Sequence, residues 1–105
     1  MADHTLLRPS LQDEIQCVLD RLANKKVWEW PYSLEHGVLF LTSEVGELAD
    51  ALMRQHIYHR NNDRNVSVAE ELGDVALMAY VSGILAGVDV DAQVRRKLEK
   101  LLGRI

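Results

Sequence analysis

The chain has 105 residues, of which 48% are hydrophobic and 27% charged, and its formal net charge is −4. This size and balance are typical of one globular domain, so we expect a single domain over residues 1–105. The acidic balance argues against a nucleic-acid-binding protein, which needs a basic surface, and the one cysteine, Cys17, excludes an intrachain disulfide.

The chain shows no pattern of a membrane or exported protein. Its longest mainly apolar stretch, residues 75–88, is shorter than the roughly 20 residues of a membrane-spanning helix. Residues 1–5 do not combine a basic segment with an apolar one, as a signal peptide would. We therefore expect a cytoplasmic protein with no membrane partner.

The first predicted helix runs from about Ser10 to Lys25. Ser10 can cap its amino end, because Asp13 follows three residues later in the position of a capping-box acid. Four apolar residues recur at helical spacing within it: Leu11, Ile15, Val18 and Leu22. Pro31, in the connector that follows, excludes a helix across residues 27–32.

The second predicted helix begins after Ser33, a residue suited to an N-cap, and continues to about His59. A sustained apolar stripe at spacings of four and three marks one of its faces: Leu34, Val38, Leu41, Val45, Leu48 and Leu52. The polar residues 60–65 then predict a loop that joins two antiparallel helices.

The third predicted helix is apolar nearly all round. It opens at residues 67–70, which match the capping-box pattern, and it ends at Gly87. Between Val75 and Leu85 almost every side of the helix is apolar. We therefore expect it to be covered by its own chain or by a second subunit.

A fourth predicted helix follows Asp89 or Asp91, either of which can cap it. Its apolar residues are Val94, Leu98, Leu101 and Leu102. Short connections between successive helices predict an all-α fold, a four-helix antiparallel bundle. Because so short a chain buries a modest core, we expect a homo-oligomer, a dimer or a tetramer, that associates through the apolar third helix.

Two pairs of carboxylates lie beside apolar residues on the second and third helices. Glu44 and Glu47 are three residues apart, about 60° from each other, and border the apolar stripe of the second helix. Glu71 and Asp74 repeat this spacing at the start of the third helix. Two helices joined by one loop can bring the pairs face to face. Glu70 is assigned to the capping box instead.

Four acids that converge at the edge of a core repel one another, and a cation would offset that repulsion. Oxygen ligands alone favour Mg²⁺, with Mn²⁺ as a substitute, over zinc or copper. Because Mg²⁺ commonly takes phosphate oxygens as further ligands, the set predicts phosphate chemistry. Either pair alone would more often be a solvated helix face, so the hypothesis depends on both pairs together.

The two acidic motifs resemble the signature of the MazG-like, all-α NTP pyrophosphatase superfamily. The first is E-V-G-E-L-A-D-A at residues 44–51, and the second is E-E-L-G-D-V at residues 70–75. The family pattern is E-x-x-E on one helix and E-x-x-D on the next. The resemblance covers roughly residues 28–87, with the last helix matched loosely, and it points in particular to short, single-domain, dCTP-pyrophosphatase-like members.

The resemblance implies a Mg²⁺-dependent nucleoside triphosphate pyrophosphohydrolase that acts in nucleotide-pool house-cleaning on deoxy or non-canonical nucleotides. Matched residue by residue, it implies that the metal ligands and catalytic residues are Glu44, Glu47, Glu71 and Asp74. A water, bound to the metal or oriented by a carboxylate, would attack a phosphorus at the α–β bridge. The products would be nucleoside monophosphate and pyrophosphate.

Three further residues are candidates for substrate binding. Trp28 lies where dCTP-cleaving relatives carry a tryptophan, so its ring either stacks on a base or closes the end of the bundle. Lys97 takes the place of a basic residue on the family's last helix and either contacts phosphate or is a solvated cation. Arg54 stands where those relatives have an aromatic residue, and it could reach a phosphate. Leu101 replaces a family asparagine, and these departures leave the base preference open.

Two other functions stay open at this point. One is a helical interaction module, antitoxin-like, that has the fold without catalysis. The other is a phosphohydrolase of a different substrate, such as the phosphoribosyl-ATP cleaved elsewhere in the superfamily. The complete set of four carboxylates favours an enzyme, because a binding module has no need of four acids that repel one another.

Overall fold

The computed structural model describes residues 10–25, 33–56 and 67–105. Within these ranges the chain forms four α-helices and no strand, which confirms the predicted all-α class. The helices are α1 Leu11–Asn24, α2 Leu34–His56, α3 Val68–Ala86 and α4 Val90–Leu102.

Three predicted features lie outside the described residues. They are the last turn of the second helix up to His59, the connector at residues 27–32 and the polar loop at residues 60–65. The helices on either side of these segments are described, and their packing defines the arrangement of the chain.

The helix starts follow from hydrogen bonds of their capping residues. The three predicted serine caps, Ser10, Ser33 and Ser67, each accept through the hydroxyl oxygen from the backbone amide three residues further on, at 3.1 to 3.3 Å. At α4 the cap is Asp89, whose carboxylate accepts from the amide three residues on at 3.0 Å. Asp91, the other candidate, lies within the first turn of that helix.

α2 and α3 pack against each other in antiparallel directions. Gly37, near the start of α2, lies against Ser82 and Leu85 near the end of α3, and a Cβ at Gly37 would stand 2.9 Å from the Ser82 hydroxyl oxygen. At the other end of the contact, a carboxylate oxygen of Glu47 on α2 lies within 4.8 Å of one of Glu71 on α3. This close contact runs along most of both helices and forms the centre of the fold.

α1 covers one side of α3 only. Ile15 and Leu19 of α1 form the buried core cluster together with Val81 of α3. Across the described residues, α1 approaches α3 and α4, whereas no Cα atom of α1 comes within 8 Å of one in α2. A groove therefore opens between α1 and α2, with α3 as its floor.

The chain bends by 111° between α3 and α4. Gly87 ends α3 in the left-handed conformation, with φ of 68°, and the Val88 amide donates to the Gly83 carbonyl at 2.8 Å. The Tyr80 hydroxyl donates to the Asp91 carboxylate at 2.7 Å and ties α4 to α3. Beyond this corner α4 has no buried residue, and in the described part of the chain it does not approach α2.

No single described helix is both long and apolar enough to cross a membrane. Taken together, α3 and α4 would be long and apolar enough, but the 111° bend separates them.

Two glycines of α3 allow the corner to be tested by matched substitutions. A Cβ at Gly83 would collide with a side-chain carbon of Val90 and lie 3.3 Å from the Val88 carbonyl oxygen, whereas a Cβ at Gly73 would meet no heavy atom within 4 Å. We expect Gly83→Ala to lower the free energy of unfolding by roughly 1 to 2 kcal/mol, because overpacking outweighs the helix-propensity gain of about 1 kcal/mol. Urea denaturation measures the change.

Gly73→Ala is the control for this experiment. It brings the same propensity gain without the collision, so we expect it to raise the free energy of unfolding by up to about 1 kcal/mol. Equal stability of the two variants would contradict the close packing of α4 on α3 at this corner.

Candidate metal centre

Three carboxylates meet where α2 crosses the first turns of α3. Glu44 and Glu47 lie one turn apart on α2, and Glu71 lies in the first turn of α3. One potential ligand oxygen from each residue lies within 4.8 Å of the others. Glu44 and Glu71 are half-buried and Glu47 is exposed. The helices thus bring three of the four predicted carboxylates together.

Asp74 borders this cluster. It follows Glu71 by one turn of α3, is exposed, and lines the same groove as Glu44. Its negative charge contributes to raising the pKa of both Glu44 and Glu71. Asp74 therefore acts electrostatically on the cluster from the groove side, outside the group of three whose oxygens lie closest together.

Two oxygens of the cluster are buried without a hydrogen-bond donor. They are Oε2 of Glu44 and Oε2 of Glu71. A buried acceptor that has lost water and gained no partner is costly, and most native structures avoid it. A cation between the two glutamates would supply the missing partner, and a set made only of carboxylate oxygens suits a hard divalent ion. The residues present therefore fit such an ion.

Burial and mutual repulsion both act on the half-buried glutamates. The pKa of Glu44 is raised above its ordinary value of 4.5, first by burial and then by the negative charge of Glu47. The pKa of Glu71 is raised for the same two reasons in the same order, with Asp74 next. A proton on either residue is further stabilised by a hydrogen bond donated to the Glu47 carboxylate. Protons and a metal ion would thus compete for one site.

An apolar groove adjoins the acidic cluster. It has a volume of about 410 Å³ and lies between α1 and the α2–α3 pair. Glu44 and Asp74 line the groove, so it opens directly onto the cluster. Its other lining residues are Leu11, Glu14, Ile15, Val18, Leu19, Leu22, Leu77, Met78 and Val81. The sequence had indicated the apolar residues of α1 only as part of the core. The groove itself could not be predicted, because it depends on the distance between α1 and α2 and not on the sequence of either helix alone.

The three predicted substrate-binding residues lie apart from the cluster or outside the described residues. Arg54 lies in the last turn of α2, where its Nε donates to the Asp50 carboxylate at 2.8 Å. Lys97 is exposed on α4, which does not approach α2 in the described part of the chain. Trp28 is outside the described residues. Their roles in binding stay predictions.

The family model for the MazG nucleotide pyrophosphohydrolase domain matches residues 32–105. The chain belongs to this family. The match covers α2, α3 and α4, so the likeness extends through the last helix, further than the two acidic motifs indicated. No curated protein and no solved structure gives a significant match.

Membership of the MazG family has direct consequences for the site. It implies nucleotide pyrophosphohydrolase activity and a nucleotide substrate. The family is metal-dependent in general, which agrees with an acidic cluster whose buried oxygens lack donors. The cluster is accordingly the candidate metal centre of this MazG domain.

The raised pKa values of Glu44 and Glu71 predict how the stability of the metal-free protein depends on pH. Protonation of the two glutamates relieves their repulsion in the folded chain and so raises the free energy of unfolding. This stabilisation is complete below about pH 4.5, and it is lost as pH rises through the raised pKa values of the folded chain. We expect metal-free protein to lose stability across that window relative to the Glu44→Gln/Glu71→Gln double variant. Urea denaturation in a chelator over a pH series measures the difference.

The control in this experiment is Glu35→Gln, which changes an exposed acid on the same helix α2. Its pH profile should follow that of the wild type. With saturating Mg²⁺ the wild type should instead gain stability as pH rises, since the ion binds the deprotonated carboxylates. Superimposable profiles of wild type and double variant would show that the two glutamates do not titrate as the structure indicates.

Proposed function

We propose that this MazG domain is a Mg²⁺-dependent enzyme that hydrolyses nucleoside triphosphates to monophosphate and pyrophosphate, with Mn²⁺ as a substitute ion. Deoxy or non-canonical nucleotides would be its substrates, and nucleotide-pool house-cleaning its role. The observation that supports the proposal best is the pair of buried, donor-free oxygens, Oε2 of Glu44 and Oε2 of Glu71, in an acidic cluster that adjoins an apolar groove.

The carboxylates would hold the metal and the attacking water. Glu44, Glu47 and Glu71 offer the oxygens that lie closest together, and Asp74 adds a further carboxylate on the groove side. A divalent cation bound there would neutralise phosphate charge and favour ionisation of water. A carboxylate oxygen left free by the metal would accept a hydrogen bond from the water and orient it towards phosphorus.

The groove would hold the base and sugar of the nucleotide. Its volume of about 410 Å³ is in the range of small-molecule sites, roughly 300 to 1,000 Å³, and its walls are mostly apolar, as a base requires. Glu44 belongs to both groove and cluster, and Asp74 lines the groove at the border of the cluster, so a nucleotide could place its phosphates at the acids with its base along α1. Arg54, Lys97 and Trp28 are proposed as additional contacts to phosphate or base.

The reaction would follow from this placement. Water adds to a phosphorus at the α–β bridge, and the bond from that phosphorus to the bridging oxygen breaks. The water's proton passes to a carboxylate or to solvent, and nucleoside monophosphate and pyrophosphate leave. A non-catalytic interaction module would gain nothing from burying two acceptors without donors, which is why we favour an enzyme over that alternative.

We further propose that the protein is a homo-oligomer, at least a dimer, with α3 at or near the interface. The Cα radius of gyration is 17.0 Å, whereas a compact domain of about 100 residues has roughly 13 Å. Many apolar side chains are more than a third exposed, and they include Val38, Val45, Leu52, Leu72, Leu77, Leu98, Leu101 and Leu102. A second copy of the chain would remove this surface from water.

Substitutions of two adjacent glutamates, Glu70 and Glu71, test the catalytic proposal. Wild-type protein with Mg²⁺ should release pyrophosphate from at least one member of a panel of canonical and modified deoxy- and ribonucleoside triphosphates. Glu71→Gln should reduce kcat by at least about 100-fold, because it removes one of the three converging carboxylates. Glu70→Gln, next to it on the exposed side, should keep kcat within about twofold.

The panel also separates the enzyme from its alternatives. Hydrolysis of phosphoribosyl-ATP in preference to every nucleoside triphosphate would move the activity to another substrate class. Absence of pyrophosphate from all compounds, with no stabilisation of the fold by Mg²⁺, would overturn the enzymatic proposal.

Sedimentation velocity tests the proposed assembly. At micromolar concentration we expect a dimer or tetramer, because the exposed apolar residues of α2, α3 and α4 favour association. Leu72→Glu, which places a charge on the exposed side of α3, should shift the distribution towards smaller species. A monomeric wild type would contradict the proposal.

A further inference from the structure

The side chain of Gln12 ties α1 to the corner between α3 and α4. Its Nε2 donates to the Val88 carbonyl oxygen at 2.8 Å, and its Oε1 accepts from the Val90 amide, also at 2.8 Å. Val88 can only accept at its carbonyl and Val90 can only donate at its amide, so one orientation of the amide satisfies both. The two bonds join positions more than 70 residues apart in sequence.

The corner to which Gln12 is bound is itself held by several bonds. The amides of Gly87 and Val88 donate to carbonyls in the last turn of α3, at 3.1 and 2.8 Å. Asp89 caps α4, and Tyr80 holds Asp91 from the side of α3. The Val90 amide is one of the first amides of α4, which have no partner within the helix. Gln12 thus uses an unpaired donor on a well-supported segment.

The position of α1 determines the width of the groove. In the described part of the chain no Cα atom of α1 comes within 8 Å of one in α2, so close backbone packing between these two helices does not set that distance. The core contacts of Ile15 and Leu19 hold α1 against α3, but apolar contacts permit sliding and rotation, whereas paired hydrogen bonds require one register. Gln12 does not line the groove and would not contact a nucleotide there.

We propose that Gln12 is a positioning residue that fixes α1 against the α3–α4 corner and so sets the groove for the nucleotide base. This inference rests on the proposed function of the groove. Gln12 acts through α1, whose residues form one wall, and leaves the acids of α2 and α3 in place. Its loss should therefore weaken substrate binding more than it slows the chemical step.

Methionine substitutions at two glutamines of α1 test this role. Gln12→Met keeps a side chain of similar length and removes both hydrogen bonds to the corner. Gln16→Met is the matched control, since among the described residues the Gln16 amide donates to Asp20 of the same helix, at 2.9 Å, and not to the corner. Each net hydrogen bond contributes a factor of about 2.3 to 10 to an equilibrium, so two contribute roughly 5- to 100-fold.

Hydrogen exchange and steady-state kinetics are the two measurements. We expect Gln12→Met to accelerate amide exchange in α1 by about 5- to 100-fold and to raise KM by at least about fivefold, with kcat within about twofold of the wild type. Gln16→Met should match the wild type in both. If Gln12→Met does not fold, Gln12→Glu, which keeps the acceptor for Val90 and loses the donor to Val88, should give smaller changes in the same directions.

The outcomes separate this proposal from the proposed function. Equal α1 exchange in the Gln12 and Gln16 variants would show that the amide does not hold the helix. Faster exchange with an unchanged KM would reduce Gln12 to a structural residue and overturn the positioning role. Failure of wild-type protein to hydrolyse any nucleotide would remove the proposed function and the groove's part in it, while the exchange comparison would still decide whether Gln12 tethers α1.

Discussion

Mutual repulsion among converging carboxylates is the constraint on which the site depends. Glu44, Glu47 and Glu71 each bring an oxygen within 4.8 Å of the others, and burial leaves Oε2 of Glu44 and Oε2 of Glu71 without a donor. The arrangement persists because α2 and α3 pack closely along most of their length, helped by small residues such as Gly37 and the buried Ala51. Helix packing thus maintains an unfavourable electrostatic interaction that a divalent cation would relieve.

Two different parts of the fold suit the two different parts of a nucleotide, its phosphates and its base. The antiparallel α2–α3 pair carries the acids, which suit a metal and phosphates. α1, fastened to the α3–α4 corner, carries an apolar wall, which suits a base. Because α1 contacts α3 without approaching α2 in the described part of the chain, the space between them stays open. The same openness leaves apolar surface on several helices, which favours a second subunit.

Much of this architecture could be predicted because it depends on interactions between residues close in sequence. Each serine cap bonds an amide three residues away, and the apolar period identifies the first, second and fourth helices. The meeting of Glu44, Glu47 and Glu71 also followed, since these acids lie beside apolar residues of two helices that must pack together. The choice between Asp89 and Asp91 could not be made, because either can cap a helix. In the structure Asp89 caps α4, while Asp91, in its first turn, accepts a hydrogen bond from Tyr80 of α3.

By itself the sequence determined the all-α class, the starts of the first three helices, the acidic motifs and the family to which they belong. Only the tertiary structure decided that Glu44, Glu47 and Glu71 form the closest group with Asp74 at its edge, and that a groove opens beside them. The physical reason is the separation in sequence of the residues that interact. Caps and periodicity act within one or two turns, whereas the spacing of helices depends on contacts between distant residues, such as Gly37 with Ser82 and Gln12 with Val88.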